Sequence, residues 1–333
     1  MKKDFTVNIN KFTKGLTQQG FGTPMVYTEE IDIPYKLITD LKELDDLKVP
    51  VESEAYQIAQ IMMSQKPKPK EIAVYGVKAG EEGSTTKNLN EILEKQSEWF
   101  YIVTDKRDTE TVKEIAKWAE ANDKLYFTTI DDMELLEELE YENTNVYMHD
   151  QEGVYLGEAM AAYYATQDAG SATGKFKTLV GIPEAGYDNT EVTAIHKAGG
   201  NTYKRKYGNL ETTEGFATNG EYTDIVLAGY YIKFRIEENA HLTARSTKKL
   251  GYVNQGIGSL VKVVREVTFD SFQKGLVAPH PENEDKPHYE LSYRTRQEVN
   301  ALDRKARVYN DIEATIYLAG AIHEGDITIN LVS

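Results

Sequence analysis

Strict alternation of apolar and polar residues marks both ends of the chain. Phe5, Val7 and Ile9 alternate with Thr6, Asn8 and Asn10. At the far end Ile312, Ala314, Ile316 and Leu318 share one parity, against Glu313, Thr315 and Tyr317. Ile327, Ile329 and Leu331 then alternate with Asp326, Thr328 and Asn330. A period of two is the mark of a strand with one buried face. Residues 319–325 between the last two strands are small and glycine-bounded, as a turn needs. Residues 11–22 are polar, contain glycine and read as a tether. Two readings of the terminal strands stand side by side. They pair inside their own domain, or they are given to neighbouring copies and complete sheets there.

Between the ends the pattern changes twice. Residues 25–28 and 31–33 read as short strands, and 51–66 as a helix with Ala55, Ile58, Ala59 and Met62 on one face. The proline pair at 67 and 69 then breaks any helix. Strands are predicted at 71–77, 99–104, 124–129 and 145–149, and helices at 85–95, 108–121, 131–140 and 157–167. Thr85 and Asp108 are placed as helix caps. Strand–helix units at this spacing predict a parallel sheet flanked by helices. The second half reads differently. A helix at 190–197 closes on Gly199 and Gly200, and a strand pair follows to Phe216. A long helix at 221–245 carries Ile225, Ala228, Ile232 and Ile236. Another at 255–276 turns Ile257, Leu260, Val261, Val264, Phe269 and Phe272 inward. After a proline- and acid-rich loop at 279–287, a strand at 289–293 leads to the terminal pair. The fold class expected is α/β plus α+β. Its parts are an arm at 1–22, an α/β domain at 23–180, an α+β assembly domain at 181–310 and terminal strands at 311–333.

Composition removes several function classes. The 333 residues are 40% hydrophobic and carry no run long enough to span a bilayer. The first residues lack the apolar stretch of a secretory signal. Cysteine is absent, which excludes disulfides, thiolate metal sites and cysteine nucleophiles, and suits folding in a reducing cytoplasm. The net charge of −16 is uneven, −12 in residues 1–150 and −4 in residues 151–333. No basic footprint for nucleic acid is present.

A parallel sheet invites a nucleotide or catalytic reading, and the motifs do not supply one. The nearest phosphate-loop candidate, residues 169–176, has Ala169 for its first glycine and Phe176 where Ser or Thr belongs. The glycines at 256 and 258 lack the third glycine and the preceding strand of a dinucleotide loop. His280 and His288 flank an acidic loop that reads as solvated. No catalytic, cofactor or metal site is assigned. The competing reading is an enzyme or ligand-binding protein with its site at the carboxyl ends of the parallel strands.

One resemblance is specific. Its elements are a helix ending in AGGNTY at 198–203, a Gly208–Asn209 turn, EYTDI at 221–225 opening a long helix, and a second long helix. LSYRTRQE at 291–298, DRKAR at 303–307 and LAGAIH at 318–323 follow. This order resembles the C-terminal region of contractile tail sheath proteins of bacteriophages and tailocins. The resemblance implies a structural subunit without cofactor, stacked in hexameric rings around an inner tube and contracting to drive that tube through the host envelope. Its implied partners are other copies of the chain, the tail tube protein, and baseplate and tail terminator proteins, with no nucleic acid and no membrane insertion. The implied location is the virion tail, assembled in the host cytoplasm. Subunit junctions would be made by strands carrying Phe5, Val7 and Ile9, Ile312 and Ile316, and Ile327, Ile329 and Leu331. The less acidic second half would face the tube, with Lys262 and Arg265 as the contact charges.

Overall fold

The computed structural model describes residues 20–78, 84–326 and 328. The first half builds on a six-stranded sheet. In chain order its strands are β1 (Pro24–Thr28), β2 (Ile33–Ile38), β3 (Ile72–Gly76), β4 (Tyr101–Thr104), β5 (Leu125–Ile130) and β6 (Thr144–Met148). Their order in space is β2-β3-β1-β4-β5-β6, with β2 antiparallel and the rest parallel. The helices of this half are α1 (Lys42–Asp46), α2 (Glu54–Ser64), α3 (Ser84–Lys95), α4 (Thr109–Ala121), α5 (Met133–Glu138) and α6 (Leu156–Ala165). One face of the sheet packs on α2 and α6, through Val26, Val74, Val103 and Phe127. The other packs on α3, α4 and α5, through Met25, Ala73, Ile102, Tyr126 and Val146. Burial on both faces explains why β1, β4, β5 and β6 are buried at every position and do not alternate.

The local signals hold at several ends. The Asp108 side chain accepts from the Thr111 N–H and caps α4, and Ala55, Ile58, Ala59 and Met62 are the buried face of α2. Thr85, expected as a cap, lies inside α3, where its hydroxyl donates to Glu29 at 2.6 Å. Helix α6 is buried nearly all round. A Cβ on Gly157 would stand 2.5 Å from the Thr128 carbonyl, so glycine lets α6 start directly against β5.

The second half docks on the β6 edge of that sheet. Helix α7 (Asn189–Lys197) opens with an Asp188–Glu191 capping box. Asn201 then bonds along β6, its N–H to the Val146 carbonyl at 3.0 Å and its carbonyl to the Met148 N–H at 2.7 Å. The hairpin β7 (Tyr203–Lys206) to β8 (Asn209–Thr212) turns at Tyr207 and Gly208, both with positive φ, one residue before the expected turn. Helix α8 (Thr223–Ser246) spans two cores. Val226, Leu227, Tyr230 and Phe234 enter the main core, while Ile232, Ile236 and Ala240 meet α9 (Asn254–Gln273) in a second one. Its buried face is therefore broader than the four-residue stripe expected. In α9, Ile257, Val261 and Val264 are buried as the pattern predicts, but Phe269 is 51% exposed. Thr268 takes the inward position, its hydroxyl donating to the Val264 carbonyl at 2.8 Å.

Beyond α9 the expected loop is a tight hairpin of β9 (Pro279–His280) and β10 (Asn283–Pro287). Strand β11 (Tyr289–Tyr293), helix α10 (Ala301–Ala306) and β12 (Ile312–Ile316) follow. Residues 319–325, expected as a turn back along β12, instead run to the main body. The Ala319 N–H donates to the Leu276 carbonyl at 2.9 Å, and His323 bonds Thr173 at 2.7 Å.

One buried ion pair ties α8 to the sheet. Lys233 Nζ lies 2.7 Å from Asp123 Oδ2 at the start of β5, with both side chains inaccessible. Lys233→Met should cost about 3–5 kcal/mol, because the carboxylate stays buried without its cation. Adding Asp123→Asn, which tolerates the positive φ of 55° there, should recover more than half. Urea unfolding of both variants measures this; equal losses in the single and double variants would reject it.

Candidate functional site

Strands β11 and β12 form a sheet of two, in the register Tyr289↔Ile316, Leu291↔Ala314 and Tyr293↔Ile312. Period two puts Tyr289, Leu291, Tyr293, Ile312, Ala314 and Ile316 on one face. That face lies over α9 and the end of α8, where Leu291, Ile312, Ile316 and Leu318 pack on the second core. The cover is partial. These four are half-buried, Ala314 is exposed and Tyr293 is 43% exposed, whereas the central strands of the main sheet are buried throughout. Among the described residues each strand has one partner, so the outer edge of each offers unpaired backbone donors and acceptors. The Arg294–Asp311 ion pair, 3.5 Å, and the Arg294 N–H to the Asp311 carbonyl, 3.2 Å, close one end of the sheet.

The exposed large apolar side chains fall mostly in the second half of the chain. Twelve large apolar side chains are exposed among the described residues, and eight fall at Leu242, Val253, Phe269, Tyr293, Leu302, Val308, Tyr317 and Ile322. A groove of about 1020 Å³ runs between α9 and the β9–β10 hairpin, with Arg265, Phe269, His280 and Tyr289 on its walls.

The residues singled out from sequence fall as follows. Ile312 and Ile316 lie together on the inner face of β12. Lys262 and Arg265 are both on the solvent side of α9, Lys262 paired with Glu266 at 3.2 Å. Phe5, Val7, Ile9, Ile327, Ile329 and Leu331 lie outside the described residues. Sequence reasoning missed Leu291, Tyr293 and His323. The first two had a signal in the alternation of residues 289–293; His323 had none.

The carboxyl ends of the parallel strands hold a polar network. Thr28 donates to Asp105, while Tyr27 and Thr85 donate to Glu29 at 2.7 and 2.6 Å. Thr129 donates to Glu158, whose charged form burial disfavours. Asp105 is pushed up to about 6, chiefly by burial and against the Thr28 hydrogen bond. These polar groups bond one another, which gives them structural work. At Thr173, His323 and Glu214 a hydroxyl, an imidazole and a carboxylate stand in line, 2.7 and 3.1 Å apart. Lys175 neutralises the carboxylate, and Tyr222 and Phe176 cover the ring. The imidazole is thus held as a plug.

No protein-family model and no curated protein sequence matches the chain. Solved structures do. Over 100% of its length the chain is similar to 98% of a chain in the anti-feeding prophage (AFP) baseplate, at 9% identity and TM-score 0.76. Over 99% it is similar to 97% of a chain in the contracted sheath complex of the extracellular contractile injection system PVC, at 12% identity and TM-score 0.68. Over 84% it is similar to 92% of the sheath tail protein of Desulfitobacterium hafniense, at 8% identity and TM-score 0.59. The fold is that of a contractile sheath protein. The sheath fold covers the first half as well as the second, where the sequence motifs lie.

Asp105 sets a pH dependence. Its carboxyl binds a proton more tightly in the folded chain than in the unfolded one, so its own contribution to stability is fullest below about pH 4 and is lost as pH rises through about 6. Asp105→Asn, which still accepts from Thr28, should remove that fall and gain about 2 kcal/mol at pH 7. Thermal unfolding from pH 4 to 7 tests this, and parallel profiles for the two proteins would refute it.

Proposed function

We propose that the chain is the sheath subunit of a contractile injection device. Copies stack as hexameric rings around an inner tube and contract to drive it through a target envelope. The observation that carries this reading is the β11–β12 sheet, with two open edges and a half-covered apolar face. On a lone subunit this is an aggregation liability; in a polymer it is a socket for strands from neighbours. The whole-chain likeness to chains of contractile injection systems supports it. The arm at 1–22 and the strands at 311–333 are the connecting parts, on an α/β body at 23–180 and an α+β assembly domain at 181–310. The work is mechanical, without catalysis or cofactor. Baseplate and terminator proteins bind the sheath ends, in a particle assembled in the host cytoplasm.

Each apolar side chain buried at a junction stabilises it by about 1.5–3 kcal/mol. The candidate junction residues are Phe5, Val7 and Ile9 on one strand, Ile327, Ile329 and Leu331 on the other, and Ile312 and Ile316 in the receiving sheet. Deleting residues 2–20, or replacing Ile329 with Asp, should leave a folded subunit that no longer polymerises. Thr328→Asp, on the opposite parity, should be milder. Electron microscopy and unfolding curves read both properties. Normal tubes from the truncated chain, or a subunit unfolded by Ile329→Asp, would overturn the junction assignment.

The tube-facing surface is the exposed side of α9, with Lys262 and Arg265 as its contact charges. Reversing both should weaken co-assembly with the tube protein at low salt and leave sheath self-assembly intact. Co-sedimentation that does not change would reject this face.

A further inference from the structure

Among the described residues, the chain that leaves β12 and passes Ala319 returns to its own body at His323. Between the Leu276–Ala319 hydrogen bond and His323 the chain is exposed, and Ile322 is 89% accessible. Residues 324–326 and 328 are exposed again. Among the described residues beyond Gly320, His323 alone is inserted, its side chain 9% accessible. Glu214 accepts from Nδ1 at 3.1 Å, which in the neutral ring leaves Nε2 to accept from the Thr173 hydroxyl at 2.7 Å. The Tyr222 ring packs edge-on at 4.7 Å and Phe176 lies at 6.3 Å. Lys175 holds the other oxygen of Glu214 and fixes the carboxylate under the imidazole.

This socket belongs to the main body, on the loop after α6 and the segment between β8 and α8. The arm belongs to the junction sheet, which rests on the second core. The contact therefore joins the junction-sheet side of the chain to the main body, as α8 also does. We propose that His323 is a latch that parks the C-terminal arm of the free subunit on its own body, and that its release frees the arm for a neighbouring copy. The occupant of the socket is this chain's own residue 323. The inference rests on the sheath reading for the second step only. A one-residue latch suits the duty, since a few hydrogen bonds hold the arm in the monomer and are outcompeted by a strand ladder with many.

The test uses the full-length chain with His323→Ala, and with Thr173→Val as the variant that removes one hydrogen bond and no charge. Proteolytic cleavage within residues 319–326 of the isolated subunit should quicken about tenfold in His323→Ala and about threefold in Thr173→Val. Hydrogen exchange in β5 and β6 should stay unchanged, which shows that the body is intact. Tube formation followed by light scattering should start about tenfold sooner in His323→Ala. Equal cleavage at 319–326 in wild type and His323→Ala would overturn the latch. Faster cleavage with unchanged or slower tube formation would overturn its role as a brake. Absence of tubes from every protein, wild type included, would count against the sheath reading, and the cleavage comparison would still decide the latch.

Discussion

A strand edge without a partner leaves a row of backbone donors and acceptors that something must satisfy. The main sheet answers this inside the chain. At the β6 edge, Asn201 and Thr218 supply backbone bonds to Val146, Met148 and Thr144. At the other edge, β2 carries Pro34 and Lys36 and an irregular register between Ile33 and Lys36, devices that discourage a further strand. The β11–β12 pair has none of these. Neither strand contains proline or lysine, and the five residue pairs run without a break in register. One sheet is thus guarded at both edges within the chain, while the other has an unbroken five-pair register and neither proline nor lysine.

Helix α8 decides how force would pass between these two parts. Its first half is built into the main core by Tyr230 and Phe234, and the Lys233–Asp123 pair fixes it to the start of β5. Its second half, with α9, is the floor of the junction sheet. A 24-residue helix is a stiff element about 36 Å long. A pull on β11–β12 would therefore reach the main sheet through this helix, its core side chains and the buried ion pair. The His323 contact is a second connection.

Much of this was legible in the sequence because burial on helices and strands leaves a period. The α2 face, the Asp108 cap and the alternation of residues 289–293 and 312–318 all carried over to the structure. The misses have physical causes. Phe269 looked inward by hydrophobicity, but the stripe of Ile257, Val261, Val264 and Ser271 puts Thr268 in the core, where its hydroxyl is satisfied by its own helix backbone. The loop at 279–287 looked unstructured because hairpins this short are set by backbone pairing and carry no apolar signal. His323 was invisible because its partners, Thr173 and Glu214, lie 150 and 109 residues away and no local pattern encodes them.

Charge gives the last constraint on how copies sit together. Residues 1–150 carry −12 and residues 151–333 carry −4. If acidic surfaces of adjacent copies met closely, repulsion would oppose every ring. At physiological ionic strength it is screened beyond roughly 8 Å. The second half has the smaller charge, the exposed apolar side chains and the open strand edges, so close contact costs least there. The acid-rich helix α5 and its flanks, from Asp131 to Glu142, have seven carboxylates and no base. They are best kept in solvent. If copies assemble as proposed, an arrangement with the β11–β12 sheets inside and the acidic α/β body outside would satisfy both conditions, and strand ladders would then have to supply the cohesion.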